Sequence, residues 1–365
     1  MKRLKQFTVN MLAGGNVATV ALMLAVGYAD HIDPADHPTL ATLGIVFPAL
    51  MVANLLFLFF WLTFKWRKAW ISVAGFALAY VPIHIYIPLN TYGNTAQEGV
   101  LKLLTFNVEG FQGEKPYTKE QAADRIVEYI RQSGADIVCL QEGNDGKRHN
   151  LERIDSSYAH RDSVTYGEKG KQTSLVIYSR FPVIRRERVP YATERNNGSI
   201  AWFLQVGKDT LLVLNNHLES NRIPPSERER YNSMLKGEMD NDTARAESRL
   251  LLSLLAKATA LRAPQAEAIH QYVERHRQYP ILVCGDFNDQ PLTYSRRVVA
   301  DGLTDCFVKA GRGVGISYHK QGFYFRIDHV MCSRHFEPLK CIVDDKITAS
   351  DHYPVVCWLK MSDNI

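Results

Sequence analysis

The sequence predicts an α/β fold of layered sheets with outer helices, preceded by three transmembrane helices. Two observations predict it. Residues 1–97 hold nearly all the long uncharged apolar runs of the 365-residue chain. Beyond them, short apolar runs bounded by Gly, Pro and polar residues alternate with amphipathic stretches, the pattern of strands packed among helices. A third observation bears on chemistry. Several of the strand-like runs end in polar side chains, and sites in sheet-based enzymes collect in such clefts.

The apolar part comes first. Phe7 to Ala29, Pro38 to Phe64 and Ala69 to Gln97 lack Lys, Arg, Asp and Glu, and about 20 apolar residues cross a bilayer as a helix. Helices are therefore expected near 7–29, 40–63 and 70–89, with residues 1–97 as a membrane anchor. A cleaved signal peptide fits the first run poorly, because two comparable runs follow and its end lacks a small-residue cleavage site. Lys2, Arg3 and Lys5 precede the first run and Lys65, Arg67 and Lys68 separate the second from the third, whereas the first connection carries Asp30, Asp33 and Asp36. Basic clusters mark the cytoplasmic side, so three crossings leave the following domain on the extracytoplasmic side. No carboxylate, Lys or Arg lies within the runs, which offers little to a transporter.

Residues 98–365 form the second unit. Removing six basic and three acidic residues from the chain's 43 and 38 leaves it 37 and 35, close to neutral. Val100 to Phe106 reads as a strand, Thr118 to Gln132 as an amphipathic helix ended by Gly134, and Asp136 to Gln141 as the next strand. Thr173 to Tyr178 is a strand; Ser199 to Val206 and Thr210 to Asn215 form a hairpin. The charged stretch Ile223 to Asp242 reads as a solvated loop with a short helix, or as a lid carrying Arg222, Arg228, Arg230 or Lys236 over an anionic substrate. Thr243 to Leu261 and Ala263 to His276 are helical, with a break or restart at Pro264. Pro280 to Cys284, Phe323 to Met331 and Tyr353 to Leu359 complete the strands. Gly311, Gly313 and Gly315 lack the Lys-Ser/Thr of a nucleotide-phosphate loop. The six cysteines match no zinc motif, and a bridge among Cys306, Cys332, Cys341 and Cys357 is compatible with an oxidising compartment.

The polar strand ends are Asn107, Gln141-Glu142, Asn216-His217, Asp286-Phe287-Asn288 and Ser350-Asp351-His352. Magnesium takes oxygen ligands, usually one or two carboxylates with water and substrate phosphate. Glu142 suits the principal ligand, Asn107 supplies a neutral oxygen and Asp351 completes the set, which favours magnesium, with manganese as substitute, over zinc. Phosphoester hydrolysis also needs an oriented water and donors for the charge developing on phosphorus. His217 and His352 are the candidates for proton handling.

The set Thr105-Phe106-Asn107-Val108-Glu109-Gly110, Gln141-Glu142, Asn216-His217-Leu218, Gly285-Asp286-Phe287-Asn288, Arg326-Ile327-Asp328-His329 and Ser350-Asp351-His352 occurs in that order. It closely resembles the endonuclease/exonuclease/phosphatase superfamily, of deoxyribonuclease I-like fold, from about residue 100 to 360. The resemblance implies a four-layered α/β sandwich on two packed sheets. It makes Glu142 the main magnesium ligand with Asn107 beside it, puts Asp351 near the metal, and gives Glu109 a metal contact through water. Asp286 then orients or deprotonates the attacking water, Asn288 donates to phosphoryl oxygens, and His352 meets the scissile phosphate or assists water activation, with Asp328 fixing its ring. His217 stands where nuclease-like and sphingomyelinase-like members carry a general acid.

The expected activity is metal-dependent phosphoester hydrolysis by a membrane-embedded phosphodiesterase acting on nucleic acid or a phospholipid headgroup. An inositol-phosphate-type phosphomonoesterase and a catalytically silent binding protein on the same fold are the alternatives. A DNA enzyme needs cations for several phosphates; Arg148, Arg153, Arg161, Lys169 and Lys171 are candidates, while Arg185, Arg186 and Arg188 serve equally as a solvated stretch. Nothing in the sequence marks an obligate protein partner.

Overall fold

The computed structural model describes residues 2–362 except 114, 145–148, 168–171, 194–196, 222 and 321. Arg148, Lys169, Lys171 and Arg222 of the expected cationic groups lie outside the described residues. Helix α1 (Lys2–Gly27), the short α2 (Pro38–Ala41) and α3 (Phe47–Phe64) open the chain. Arg3–His31 and Pro38–Phe64 are each long and apolar enough to cross a membrane. The third expected crossing is not one straight helix. It is α4 (Trp70–Leu78) and α5 (Tyr80–Tyr86), bent by 64°.

Pro82 explains the break. It has no N–H for the carbonyl four residues back, and its ring crowds that carbonyl. The residue four back is Leu78, whose oxygen instead accepts the Tyr28 hydroxyl at 3.0 Å. A polar knot holds the bundle at its centre. Asn16 Oδ1 accepts from Trp61 Nε1 at 2.9 Å and Ser72 Oγ at 3.1 Å, while Asn16 Nδ2 donates to Asn54 Oδ1 at 3.1 Å. Such bonds between helices replace the hydrophobic drive that lipid removes.

The sandwich is built from β1 (Val100–Asn107), α6 (Lys119–Gln132), β2 (Ile137–Gln141), α7 (Asn150–Asp155), β3 (His160–Tyr166), β4 (Thr173–Ser179), β5 (Val183–Arg188), β6 (Gly198–Val206) and β7 (Asp209–His217). It continues through α8 (Pro225–Leu235), α9 (Asn241–Arg275), β8 (Ile281–Asp286), α10 (Tyr294–Ala300), β9 (Thr304–Asp305), α11 (Cys306–Ala310), β10 (Asp328–Cys332), β11 (Phe336–Val343) and β12 (Val355–Met361). One sheet runs β11-β12-β1-β2-β4-β3 and the other β5-β6-β7-β8-β10-β9. Both are mixed, with β1–β2 and β7–β8 the parallel pairs. Leu103, Ile177, Trp202, Val213, Leu282 and Cys357 fill the layer between the sheets. Helix α6 covers the first sheet with Ala122, Ile126 and Ile130, and α9 covers the second with Ala266, Ile269 and Val273. The four expected layers are present.

Some elements differ from expectation. Helix α9 is continuous through Pro264. Arg262, Ala263, Gln265 and Ala266 around it are buried, so packing holds the helix where proline alone would end it. The expected strand from Phe323 begins only at Asp328, because Ser317 Oγ takes the Ile327 and Asp328 N–H groups at 3.0 Å each. Strands β3 and β5 carry mostly half-exposed or exposed side chains, which hid their alternation. All six cysteines are buried free thiols.

The sandwich rests on one end of the bundle. Arg297 Nε donates to the Asp30 carbonyl at 2.8 Å after α1, Thr42 and Thr259 hydroxyls stand 3.5 Å apart before α3, and Arg326 donates to the carbonyls of Ile85 and Tyr86 at the end of α5. Arg3, Lys5, Lys65, Arg67 and Lys68 sit towards the other end of these helices.

Candidate active site

The polar strand ends converge because of register. In the second sheet His217 lies beside Asp286 across β7–β8, and Asp286 lies opposite Asp328 across β8–β10. Three functional side chains thus stand abreast. In the first sheet Asn107 pairs with Gln141, directly before Glu142. Asn107 Nδ2 joins the sheets, donating to Glu142 Oε1 and Asp286 Oδ2, each at 3.0 Å. Its amide nitrogen faces the two carboxylates, and its oxygen accepts from Glu109 N at 3.1 Å.

Tight turns aim the groups. Glu142 at φ 52° and Asn288 at φ 53° occupy the left-handed region directly after their strands, a conformation that costs a non-glycine residue about 1–3 kcal/mol and clusters at functional sites. Gly285 precedes Asp286 at φ 128°, and a Cβ there would sit 2.1 Å from the Asn216 carbonyl oxygen. Only glycine lets β8 approach β7 closely enough at this point. Asn288 N donates to Asp286 Oδ1 at 2.8 Å and Asn288 Nδ2 to the Leu218 carbonyl at 3.0 Å.

His352 arrives from the turn before β12. Ser350 Oγ donates to the Asn107 carbonyl at 2.8 Å and fixes that turn. Asp328 Oδ2 lies 2.8 Å from His352 Nδ1, and Asp286 Oδ2 lies 3.7 Å from His352 Nε2 and 3.7 Å from His217 Nε2. Burial alone would lower the His352 pKa, but the Asp328 and Asp286 carboxylates outweigh it and hold the ring's pKa well above the ordinary value. Burial raises the Asp286 pKa, with Asp328 adding to it, against the pull of His352 and His217.

Asp286, Asp328 and His352 offer ligand atoms within 4.8 Å of one another. Asp328 Oδ1 is buried and has no partner among the described residues, and the surrounding donors are mostly oxygens. This chemistry fits a hard divalent cation. None of the four residues expected at the metal belongs to this triad: Asn107 and Glu142 adjoin it through the Asn107 amide, and Glu109 and Asp351 gather at a lysine. Glu109 Oε1 and Asp351 Oδ2 both meet Lys320 Nζ, the latter at 3.2 Å.

Sequence reasoning missed Lys320, which carried no motif, and Tyr318, whose ring meets His352 edge-on at 5.0 Å. It also missed the support beneath the site, where Gln141 Nε2 donates to Thr105 Oγ1 and Asn215 Oδ1, and Asn215 Nδ2 to the Leu140 carbonyl. Asn215 inside an apolar strand was the available signal. The site opens into a cavity of about 510 Å³ lined by Glu142, His217, Asp286, Asn288 and His352, and also by Thr42 and Ile45 from the apolar stretch Pro38–Phe64.

A family model described as Endonuclease/Exonuclease/phosphatase family matches residues 104–352, and a second, described as a domain of unknown function, matches residues 9–86. No curated protein matches. A solved endonuclease/exonuclease/phosphatase from Beutenbergia cavernae DSM 12333 is 17% identical at a TM-score of 0.53, over 73% of this chain and 72% of that one. A family protein from Bacteroides thetaiotaomicron is 15% identical at 0.52, over 73% and 99%. D. rerio TDP2, solved with a single-strand DNA product, is 14% identical at 0.50, over 72% and 99%. Two packed mixed sheets that bring an acid–histidine cluster to one cavity carry the machinery typical of metal-dependent phosphoester hydrolases. The chain belongs to the endonuclease/exonuclease/phosphatase family.

Proposed function

We propose that this chain is a membrane-anchored, magnesium-dependent phosphodiesterase of nuclease or phospholipid type, with residues 1–97 as anchor and 98–365 as catalytic domain on the extracytoplasmic side. The convergence of Asp286, Asp328 and His352 within 4.8 Å, with His217 and Glu142 on the same cavity, carries the reading. Glu142 would hold magnesium with Asn107, beside the Asp286–Asp328–His352 cluster, with Asp351 and Glu109 as the further candidates. When bound there, magnesium, or manganese in its place, would supply charge neutralisation at the phosphoryl oxygens.

Asp286 orients the attacking water and takes its proton, a role favoured by a raised carboxyl pKa. Asn288 spends one amide N–H on the Leu218 carbonyl, which leaves the other for a phosphoryl oxygen. His352, oriented by Asp328, contacts the scissile phosphate as a cation. His217 protonates the leaving oxygen. The single-strand DNA held by D. rerio TDP2 supports the nuclease type through fold alone.

Purified full chain in detergent, assayed with magnesium or EDTA on bis-p-nitrophenyl phosphate, oligonucleotide, sphingomyelin and inositol phosphates, tests the reading. Turnover should require the metal and fall about 100-fold or more in His217→Ala and Asp286→Asn. Metal-independent turnover, or unchanged turnover in both variants, refutes it.

A further inference from the structure

The cavity over the catalytic cluster has two unlike walls. The polar wall belongs to the sandwich. The other is apolar: Ile223, Leu255 and Phe323 form a buried cluster, and Ile45 and Phe325 pack against it. Ile45 belongs to the Pro38–Phe64 stretch that is long and apolar enough to cross a membrane. One side of the active-site cavity is therefore made by the segment that enters the bilayer, and the apolar wall runs from the catalytic cluster to that entry point.

Charge points the same way. Arg262 in the cavity lining is held by Asp289, with Nε and Oδ2 3.0 Å apart. Arg228 is the lining cation without a carboxylate partner among the described residues; it donates to Tyr318 Oη at 2.7 Å and to the Ile223 carbonyl at 3.2 Å. Elsewhere Arg153 pairs with Asp124 at 2.8 Å, Arg161 with Asp155 at 3.0 Å, Arg185 with Glu187 at 3.3 Å, and Arg186 with Asp162. A polyanion engages several cations along its backbone. Among the described residues, one lining guanidinium without a carboxylate partner, beside an apolar wall, suits a single phosphate joined to an apolar stem.

We infer that the substrate is an amphiphilic phosphoester drawn from the bilayer. Its phosphate lies at the Asp286–His352–His217 cluster, Arg228 meets the negative charge beside it, and its stem lies along Phe323 and Leu255 toward Ile45. This rests on the hydrolytic reading of the site and adds the substrate class and a specificity-determining residue from the anchor. The cavity volume suits a headgroup and the first part of a stem, with the remaining chain staying in the lipid.

The test uses full chain reconstituted into vesicles of phosphatidylethanolamine, phosphatidylglycerol and sphingomyelin, with a single-stranded oligonucleotide and bis-p-nitrophenyl phosphate as tail-free probes. Hydrolysis of a vesicle lipid is expected. In Ile45→Asp the ratio of vesicle-lipid to bis-p-nitrophenyl phosphate kcat/KM should fall about tenfold through KM, and in Ile45→Ala by about threefold. Using the ratio removes any loss of folded protein. A higher kcat/KM on oligonucleotide than on every vesicle lipid overturns the inference, as does an unchanged ratio in both variants. Magnesium-dependent cleavage of bis-p-nitrophenyl phosphate without lipid cleavage sinks the substrate class alone. No cleavage of any probe sinks the hydrolytic reading and this inference with it.

Discussion

Asp328→Asn tests how the site holds its histidine. Asp328 is 1% and His352 5% exposed, and their Oδ2 and Nδ1 atoms are 2.8 Å apart. The contact is dry and charge-assisted, so it belongs to the class worth about 1.5–3 kcal/mol. Asn keeps the shape but loses the charge that favours imidazolium and fixes the ring's tautomer. Asp286, at 3.7 Å from Nε2, is too far to replace it. If about 2–3 kcal/mol of that interaction is lost in the transition state, kcat falls roughly 30- to 150-fold. The assay is magnesium-dependent hydrolysis of bis-p-nitrophenyl phosphate by full chain in detergent, with thermal unfolding of both proteins to correct for folded fraction. A kcat within about threefold of the parent, or a loss confined to KM, refutes the positioning role.

Two further predictions concern stability. Arg296 donates to Asp305 Oδ2 at 3.0 and 2.6 Å; burial raises the Asp305 pKa, but Arg296 together with His329, Arg326 and the Val308 N–H outweighs it and brings the pKa down to about 2 from 3.8. A depressed carboxyl pKa adds stability that is present above the unfolded pKa and lost as pH falls through the folded one. Asp305→Asn should therefore unfold more easily near neutral pH, and its deficit should shrink by about 2 kcal/mol as pH drops from about 5 to about 2, read by denaturant titration. Gly285→Ala should cost about 3 kcal/mol or more in the same measurement, because its Cβ meets the Asn216 carbonyl and its φ disfavours a side chain.

The sandwich was legible because its strands are apolar runs with polar ends. Asn107, His217 and Asp286 each close a strand with few other polar residues, and His352 stands shortly before one, so chemistry and position coincided. Register then did what no local pattern announces, setting His217, Asp286 and Asp328 abreast. Lys320 was illegible, since a lysine in a loop reads as solvated until the fold closes Glu109 and Asp351 around it. Ile45 was hidden for the opposite reason. In a run that is apolar on every side, no residue advertises which neighbour it faces. Pro82 was visible, yet proline is common in membrane helices, and the bend depends on Tyr28 being placed to take the freed carbonyl of Leu78.

Arg326 gives the join between bundle and sandwich its character. Its buried guanidinium donates to Ile85, Tyr86 and Val314 carbonyls, and burial brings its pKa down to about 10. Two of those acceptors are the unspent carbonyls at the end of α5, so the side chain acts as that helix's terminal cap, supplied from 240 residues downstream. It also stands two positions before Asp328. A shortened protein beginning after the helices would leave this cation with the Val314 carbonyl but without its two helix-end acceptors, next to the strand that steadies the catalytic histidine. The apolar helices are thus a load-sharing part of the frame, tied by the hydrogen bonds of one guanidinium to the strand that carries Asp328.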